Sequence, residues 1–583
     1  MSALLSVLIT DKAELSDLAL SKISEFLGIP CSFVRWNQVA VCATSDLSCV
    51  ALSGRTLVDL YNQKELMNLR ALLRKNVVKF LLSYAMEWDE NLSGALHELT
   101  CGEIVPIPPM QKESGRYQVA QNSTDATFEL SGITFDSINA DSEVTFSSEG
   151  SESLSLISFN KRPFFLQTRI ADCTLFFAGS TELTDIDQTV TQEIRLKYFF
   201  PSLVPPMIFL RKVFGDQCWH NDKHQACVII DDPLLKKKYG FVNFTKILKL
   251  MDTHNFCISV GFIPWNYRRN SVEITKLFRE RSDRLSICVH GNDHTRGEFG
   301  ATDLNTLTTA VRKADERMAK LSMSADLSFD KVMVFPQGIF STASMAVLKA
   351  NNYLASVNFE MIPVDLHANC LTLRDLLLPS VMKFYGFPLF LRRHPWEFEE
   401  LALDLFLGRP ALIMTHHDSF GDGQAELMRS IDRVNNISNR LKWSRLAEII
   451  KTTYLWKYET DRSLYVKLFS PETIIHNETA STNRYMVTKQ EPDSGDIEGV
   501  FLNGQKTNFD SFDGLASLCF QVEPACAASI RFLYRSPYPI SSTSNSILRQ
   551  LNIAGRRWLS EVRDNHIMTN RRLYSALNKF KKK

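Results

Sequence analysis

Residues 226–233 read Ala226-Cys227-Val228-Ile229-Ile230-Asp231-Asp232-Pro233. An unbroken apolar run with no alternation is what a strand covered on both faces requires, and such strands belong to parallel sheets. Two carboxylates directly after the run put charge at the strand's carboxyl end, where β/α folds gather their chemistry. The same unit recurs on either side. Phe241 to His254 predicts a helix with Phe241, Phe244, Ile247, Leu248 and Met251 on one face. Strands are expected at Cys257–Ile263, Leu285–Val289, Val332–Phe335 and Ala411–Met414, with helices around 272–281, 303–321 and 342–350. Alternating β and α units over residues 205–456 predict an α/β fold with a parallel sheet, a barrel above all.

The flanking regions differ. Residues 1–115 mix short apolar runs (Leu5 to Ile9, Val39 to Cys42) with a long helical pattern from Leu66 to Tyr84, which predicts a small α/β domain. Pro106-Ile107-Pro108-Pro109 reads as a linker. Residues 116–200 and 460–540 carry short apolar clusters broken by Ser, Asn, Asp and Gly, a β-rich signature. They are either two small domains or one sandwich flanking the barrel. The tail, 543–583, is basic and helical, and reads as a solvated helix or a contact for an acidic partner.

Composition narrows the class. The 583 residues include 66 Lys+Arg against 65 Asp+Glu, a net charge of +1, which gives no reason to expect nucleic acid. That balance fits a neutral substrate. Twelve Cys in so long a chain are too dilute for a disulfide scaffold, and no C-x-x-C pair suggests a zinc ribbon. The opening apolar run stops at Asp11 without a basic region before it, and no later stretch is long enough to span a membrane. A cytoplasmic protein is the expectation. Sequons at Asn122 and Asn477 carry little weight without a secretion signal.

Three pieces of the barrel region carry the chemistry: Asp231-Asp232; then Ile287-Cys288-Val289-His290-Gly291-Asn292-Asp293-His294; then Leu412-Ile413-Met414-Thr415-His416-His417-Asp418. Each follows an apolar strand. One turn of helix would bring His290 and His294 onto one face, within reach of a single cation. One carboxylate and two neutral imidazoles make an open three-ligand site that suits Zn²⁺, with Co²⁺ and Mn²⁺ as alternatives. A second carboxylate could take a proton from water, and a histidine could protonate a leaving nitrogen.

With these pieces in order, the chain resembles the metal-dependent polysaccharide deacetylases of the carbohydrate esterase type, over roughly residues 205–456. The resemblance implies an incomplete or distorted (β/α) barrel that removes N-acetyl, occasionally O-acetyl, groups from a carbohydrate. It assigns Asp231 as general base and Asp232, His290 and His294 as metal ligands. His416 is the choice for the acid, with His417 as competitor. Pro233 and Gly291 depart from the family pattern. Val334 stands where the family has an Arg that orients the base, so that residue is missing or comes from elsewhere. Arg393-His394-Pro395-Trp396 could stand in for another missing motif. Trp265, Arg268 and Arg393 are candidate substrate-binding residues. Asp293 is read either as a support for the histidine pair or as a solvated turn. The strands' Cys227, Cys257 and Cys288 are read as core. The missing Arg and the β-rich segments leave a second reading, a non-catalytic carbohydrate-binding or polysaccharide-assembly protein with a degenerate barrel.

Overall fold

The computed structural model describes residues 4–41, 47–109, 115–121, 124–137, 143–148, 153–295, 297–367, 369–421, 423–459, 463–536 and 547–570. The sequon at Asn122 and the tail beyond 570 lie outside them. The chain forms two compact units, one of residues 1–220, 372–374 and 456–464, the other of 221–371, 375–455 and 465–583. No helix of the described residues is long and apolar enough to cross a membrane.

In the first unit a nine-stranded sheet runs in the order Cys31–Arg35, Leu5–Ile9, Cys49–Ser53, Phe80–Tyr84, Cys173–Ala178, Arg162–Ile170, Leu154–Phe159, Arg116–Val119, Thr134–Asp136. The pairs up to Cys173–Ala178 are parallel, and the rest form an antiparallel meander. Strands from 1–115 and from 116–200 therefore share one sheet, where the sequence suggested two modules. Two local expectations also change. The pattern from Leu66 to Tyr84 is a helix, Leu66–Arg74, and then a strand, Phe80–Tyr84. Asn76 between them takes a left-handed φ of 56°, which ends the helix. Pro106 and Ile107 of the proline-rich "linker" belong to the strand Ile104–Ile107, paired with Thr145–Ser148, while Pro108 and Pro109 lie beyond it; Pro106 fits a two-stranded edge.

The second unit holds a curled parallel sheet of seven principal strands: β1 (Gln225–Asp231), β2 (Ile258–Phe262), β3 (Leu285–His290), β4 (Asp330–Val334), β5 (Ala355–Asn358), β6 (Leu389–Leu391) and β7 (Ala411–Thr415). Their order is β6-β5-β4-β3-β2-β1-β7, and every pair is parallel. All residues of β1, β2, β3 and β7 are buried, as their unbroken apolar runs require. The two outer strands meet beyond β6. There the Arg393 amide donates to Leu412 O (2.8 Å), and its carbonyl accepts from Met414 N (2.8 Å). The three sequence pieces all fall at the carboxyl end of this sheet.

Residues 464–534 add two antiparallel sheets, one containing Leu464–Leu468, Asn483–Gln490, Leu515–Val522 and Asp510–Phe512, the other Glu472–His476, Ala527–Tyr534, Ile497–Leu502 and Gln505–Thr507. No described strand of 116–200 belongs to either sheet. A buried ionic cluster joins this β layer to the barrel helix Thr342–Ala350. Glu491, 0% exposed, accepts from Lys349 (2.7 Å), Lys489 (2.6 Å) and the Tyr534 hydroxyl (2.5 Å). Burial alone would raise the Glu491 carboxyl, but the two ammonium groups outweigh it and hold it below its ordinary value. The cluster's stabilisation is therefore present above the ordinary glutamate range (about 4.3) and is lost on acidification through the depressed value. Glu491→Gln leaves two buried ammonium groups facing a neutral amide. It should cost about 3–5 kcal/mol in chemical denaturation, and a loss under about 1 kcal/mol would contradict this role.

Candidate metal centre

Asp232, His290 and His294 present ligand atoms that all lie within 4.8 Å of one another. Asp232 follows β1 with a left-handed φ of 79°, a conformation costly for a non-glycine residue and found mostly at functional sites. Its Oδ1 lies 3.5 Å from His290 Nε2 and 3.2 Å from His294 Nε2. This buried oxygen has no hydrogen-bond partner of good geometry.

His290 ends β3 and is 1% exposed. Its Nδ1 is 2.9 Å from the Val334 carbonyl. That contact makes Nδ1 the donor and frees the Nε2 lone pair toward Asp232, the usual arrangement behind a ligating imidazole. His294 is not one helical turn further on. Residues 291–295 form a loop in which Gly291 (φ 63°) and His294 (φ 53°) are left-handed. The loop is wound around Glu298, whose carboxylate accepts from the backbone amides of Asn292 (2.9 Å), Asp293 (3.1 Å) and His294 (3.0 Å). This explains Gly291. A Cβ there would sit 2.2 Å from Glu298 Oε1 and 2.4 Å from Pro336 Cγ, besides the strained φ. Asp293 is buried and paired with Arg317 (2.6 Å), which also reaches Asn292 Oδ1 (2.5 Å). It braces the loop and is not a solvated turn.

Asp231 supplies the second carboxylate. Arg392, the residue after β6, grips it bidentately, with Nη1–Oδ1 at 2.8 Å and Nη2–Oδ2 at 2.7 Å, both side chains buried. Burial would raise Asp231, but Arg392 first and then His290 outweigh it and hold the carboxyl below its ordinary value. The Asp232 carboxyl is likewise held well below its ordinary value, with His294 and His290 overcoming burial. Burial pushes His294 down to about 4, so it is neutral near neutral pH with a lone pair to give. This donor set fits a divalent cation: one ionised carboxylate oxygen lacking a hydrogen bond, and two imidazoles facing it.

The remaining candidates separate. His416 is exposed at a cavity of about 500 Å³ that Asp231, Asp232, His290, His294 and Arg392 also line. His417 is buried away from it, stacked on Phe241, edge-on to Tyr239, and 3.4 Å from Asp564. Arg393 does not reach the cavity. It is one residue beyond Arg392 and points to the other side of the sheet, into a buried network with Asp404 (2.8 Å) and Glu400 (3.5 Å). Trp265 packs under Arg317, and Arg268 lies over Tyr267 beside a different surface depression, so neither joins the site. His394 lines the cavity and stacks on the exposed Trp396, rings 4.2 Å apart.

Two contributions lay outside the sequence reading. One is Arg392; the signal was an Arg at the exit of an apolar strand, the same position that yielded the Asp and His residues. The other is the C-terminal helix Ile547–Val562 and the turn after it, where Arg556, Arg557, Ser560, Arg563 and Asp564 line the cavity. Asp564 accepts from the Tyr239 hydroxyl (2.7 Å), Asn565 accepts from the Gly240 amide (2.7 Å), and Glu561 pairs with Lys236 and Arg269. This part of the tail is docked on the barrel mouth and is not a free solvated helix.

No protein-family model matches the chain, and no curated protein matches it. Among solved structures, a putative polysaccharide deacetylase from Mycobacterium smegmatis is 16% identical, with a TM-score of 0.27, over 40% of this chain and 91% of that one. A family 4 carbohydrate esterase from Streptomyces lividans, solved with acetate, is 10% identical, with a TM-score of 0.25, over 39% of this chain and 94% of that one. A CE4 family pseudoenzyme from Bacillus anthracis is 10% identical, with a TM-score of 0.25, over 40% of this chain and 66% of that one.

Arg392 and Asp231 should behave as one unit. In a double-mutant cycle of Asp231→Asn and Arg392→Gln, the coupling energy for stability should be about 2–3 kcal/mol, and a value near zero would mean that Arg392 does not hold the Asp231 carboxylate.

Proposed function

We propose that this chain is a metal-dependent hydrolase that removes N-acetyl or O-acetyl groups from a carbohydrate. The observation that carries the reading is the unpartnered Asp232 oxygen between two imidazole Nε2 atoms, beside a second carboxylate clamped by Arg392. Asp232, His290 and His294 hold the ion. When bound, a divalent ion such as Zn²⁺ supplies Lewis acidity and makes water a nucleophile near neutral pH.

The chain's own residues do the rest. Asp231, kept ionised and oriented by Arg392, takes the proton of the attacking water. His416, the cavity histidine, delivers a proton to the departing nitrogen or oxygen. His417 stays in the packing beside Tyr239. The ring pair of His394 and Trp396, with Phe359 at the cavity wall, offers apolar faces to a sugar ring. Arg392 fills the role that Val334 cannot, which removes the main sequence argument for a degenerate barrel.

The test is acetate release from N- and O-acetylated glycans, with metal content measured on the same samples. Wild type should release acetate and lose the activity on chelation. Asp232→Ala and His290→Ala should each lose bound metal and activity, and His416→Ala should lose activity at least about a hundredfold while keeping metal. Unchanged metal content and activity in Asp232→Ala and His290→Ala would refute the reading. Glu298→Gln, which weakens the loop's amide cradle, should lower metal affinity about 10–100-fold in a competitive chelator titration.

A further inference from the structure

The cavity's charges are unevenly matched. Four arginines line it, Arg392, Arg556, Arg557 and Arg563, against the three aspartates Asp231, Asp232 and Asp564, leaving 4 − 3 = +1 before any cation binds. Arg392 is spent on Asp231, and Arg563 pairs with Asp564 (2.6 Å). Arg556 and Arg557 have no carboxylate partner among the described residues. Among the described residues, the one side-chain bond of Arg557 is to Ser560 Oγ on its own helix (3.4 Å).

These arginines are not on a loose tail. Glu561, Asp564 and Asn565, within nine residues of Arg556, are bonded to the segment Lys236–Gly240 and to Arg269. The helix therefore presents two unspent guanidinium groups at a fixed edge of the cavity, next to the metal ligands. A guanidinium pair of this kind recognises planar or tetrahedral oxyanions through charge-assisted, often bidentate, hydrogen bonds.

We propose that the site selects substrates carrying a fixed negative charge, a carboxylate, sulfate or phosphate on or next to the acetylated sugar, through Arg556 and Arg557. This rests on the reading of the cavity as a glycan deacetylase site and reverses the neutral substrate suggested by the overall charge balance. The arginines act as binding and specificity residues, and the chemical step remains with Asp231 and His416.

The experiment is equilibrium binding of matched N-acetylated oligosaccharides to the full chain, with metal removed and with zinc added, at low and at 0.5 M salt. A chito-oligosaccharide is the neutral probe. A hyaluronan oligosaccharide supplies the carboxylate, a chondroitin sulfate oligosaccharide the sulfate, and a 6-phosphorylated chito-oligosaccharide the phosphate. At least one anionic probe should bind about tenfold more tightly than the neutral one at low salt, with the advantage shrinking at high salt. The probe that gains most identifies the anion. Arg556→Gln with Arg557→Gln should bring the preference to within about twofold. Arg556→Lys with Arg557→Lys should keep part of it. Equal binding of all probes, no binding of any, or a preference that survives the double Gln variant overturns the proposal. Acetate release assayed in parallel separates the two claims: release without charge preference sinks only this one, and charge preference without release sinks only the deacetylase reading.

Discussion

Everything at the barrel mouth depends on one carboxylate oxygen. Asp232 Oδ1 is buried, has no hydrogen-bond partner of good geometry among the described residues, and faces two imidazole nitrogens at 3.2 and 3.5 Å. A buried anionic oxygen without a donor is costly unless a cation compensates it. The structure invests in holding that arrangement, with a left-handed backbone at Asp232 and His294, a carbonyl fixing the His290 ring, and a glutamate binding three amides of the loop. Chain strain of this kind, concentrated where one carboxylate and two imidazoles converge, is found mostly at functional sites and is avoided in a packed core.

The second constraint is the ion pair of Asp231 and Arg392. A buried carboxylate without a counter-charge tends to protonate. A bidentate guanidinium keeps it charged and fixes its plane. The pair also ties β1 to the exit of β6 on the far edge of the sheet.

Much of this was legible in the sequence, for a physical reason. Strands buried on both faces write themselves as apolar runs, so the polar residues that end them stand out: Asp231, Asp232, His290 and His416 were all found at such exits. What the sequence hid was of two kinds. Local geometry was hidden where glycine and left-handed residues break the regular period. The spacing of His290 and His294 looks helical, yet Glu298 winds the segment into a loop. Long-range contacts were hidden because nothing local records them. Arg392 lies 161 residues from Asp231, and Arg393, its neighbour, faces the wrong way by strand alternation. The docking of Asp564 and Asn565 on Tyr239 and Gly240, 325 residues away, has no local sign at all. For the same reason, the first unit's sheet crossed a boundary that composition had placed at residue 115.

The central claim is that Asp232, His290 and His294 share one divalent ion. X-ray absorption spectroscopy of the zinc-loaded protein tests it most directly. The account predicts a four- or five-coordinate site with only nitrogen and oxygen neighbours at about 2.0–2.2 Å and multiple scattering from two imidazoles, reduced to one imidazole in His294→Ala. A sulfur shell at about 2.3 Å, or a spectrum without imidazole scattering, would place the metal elsewhere and contradict it.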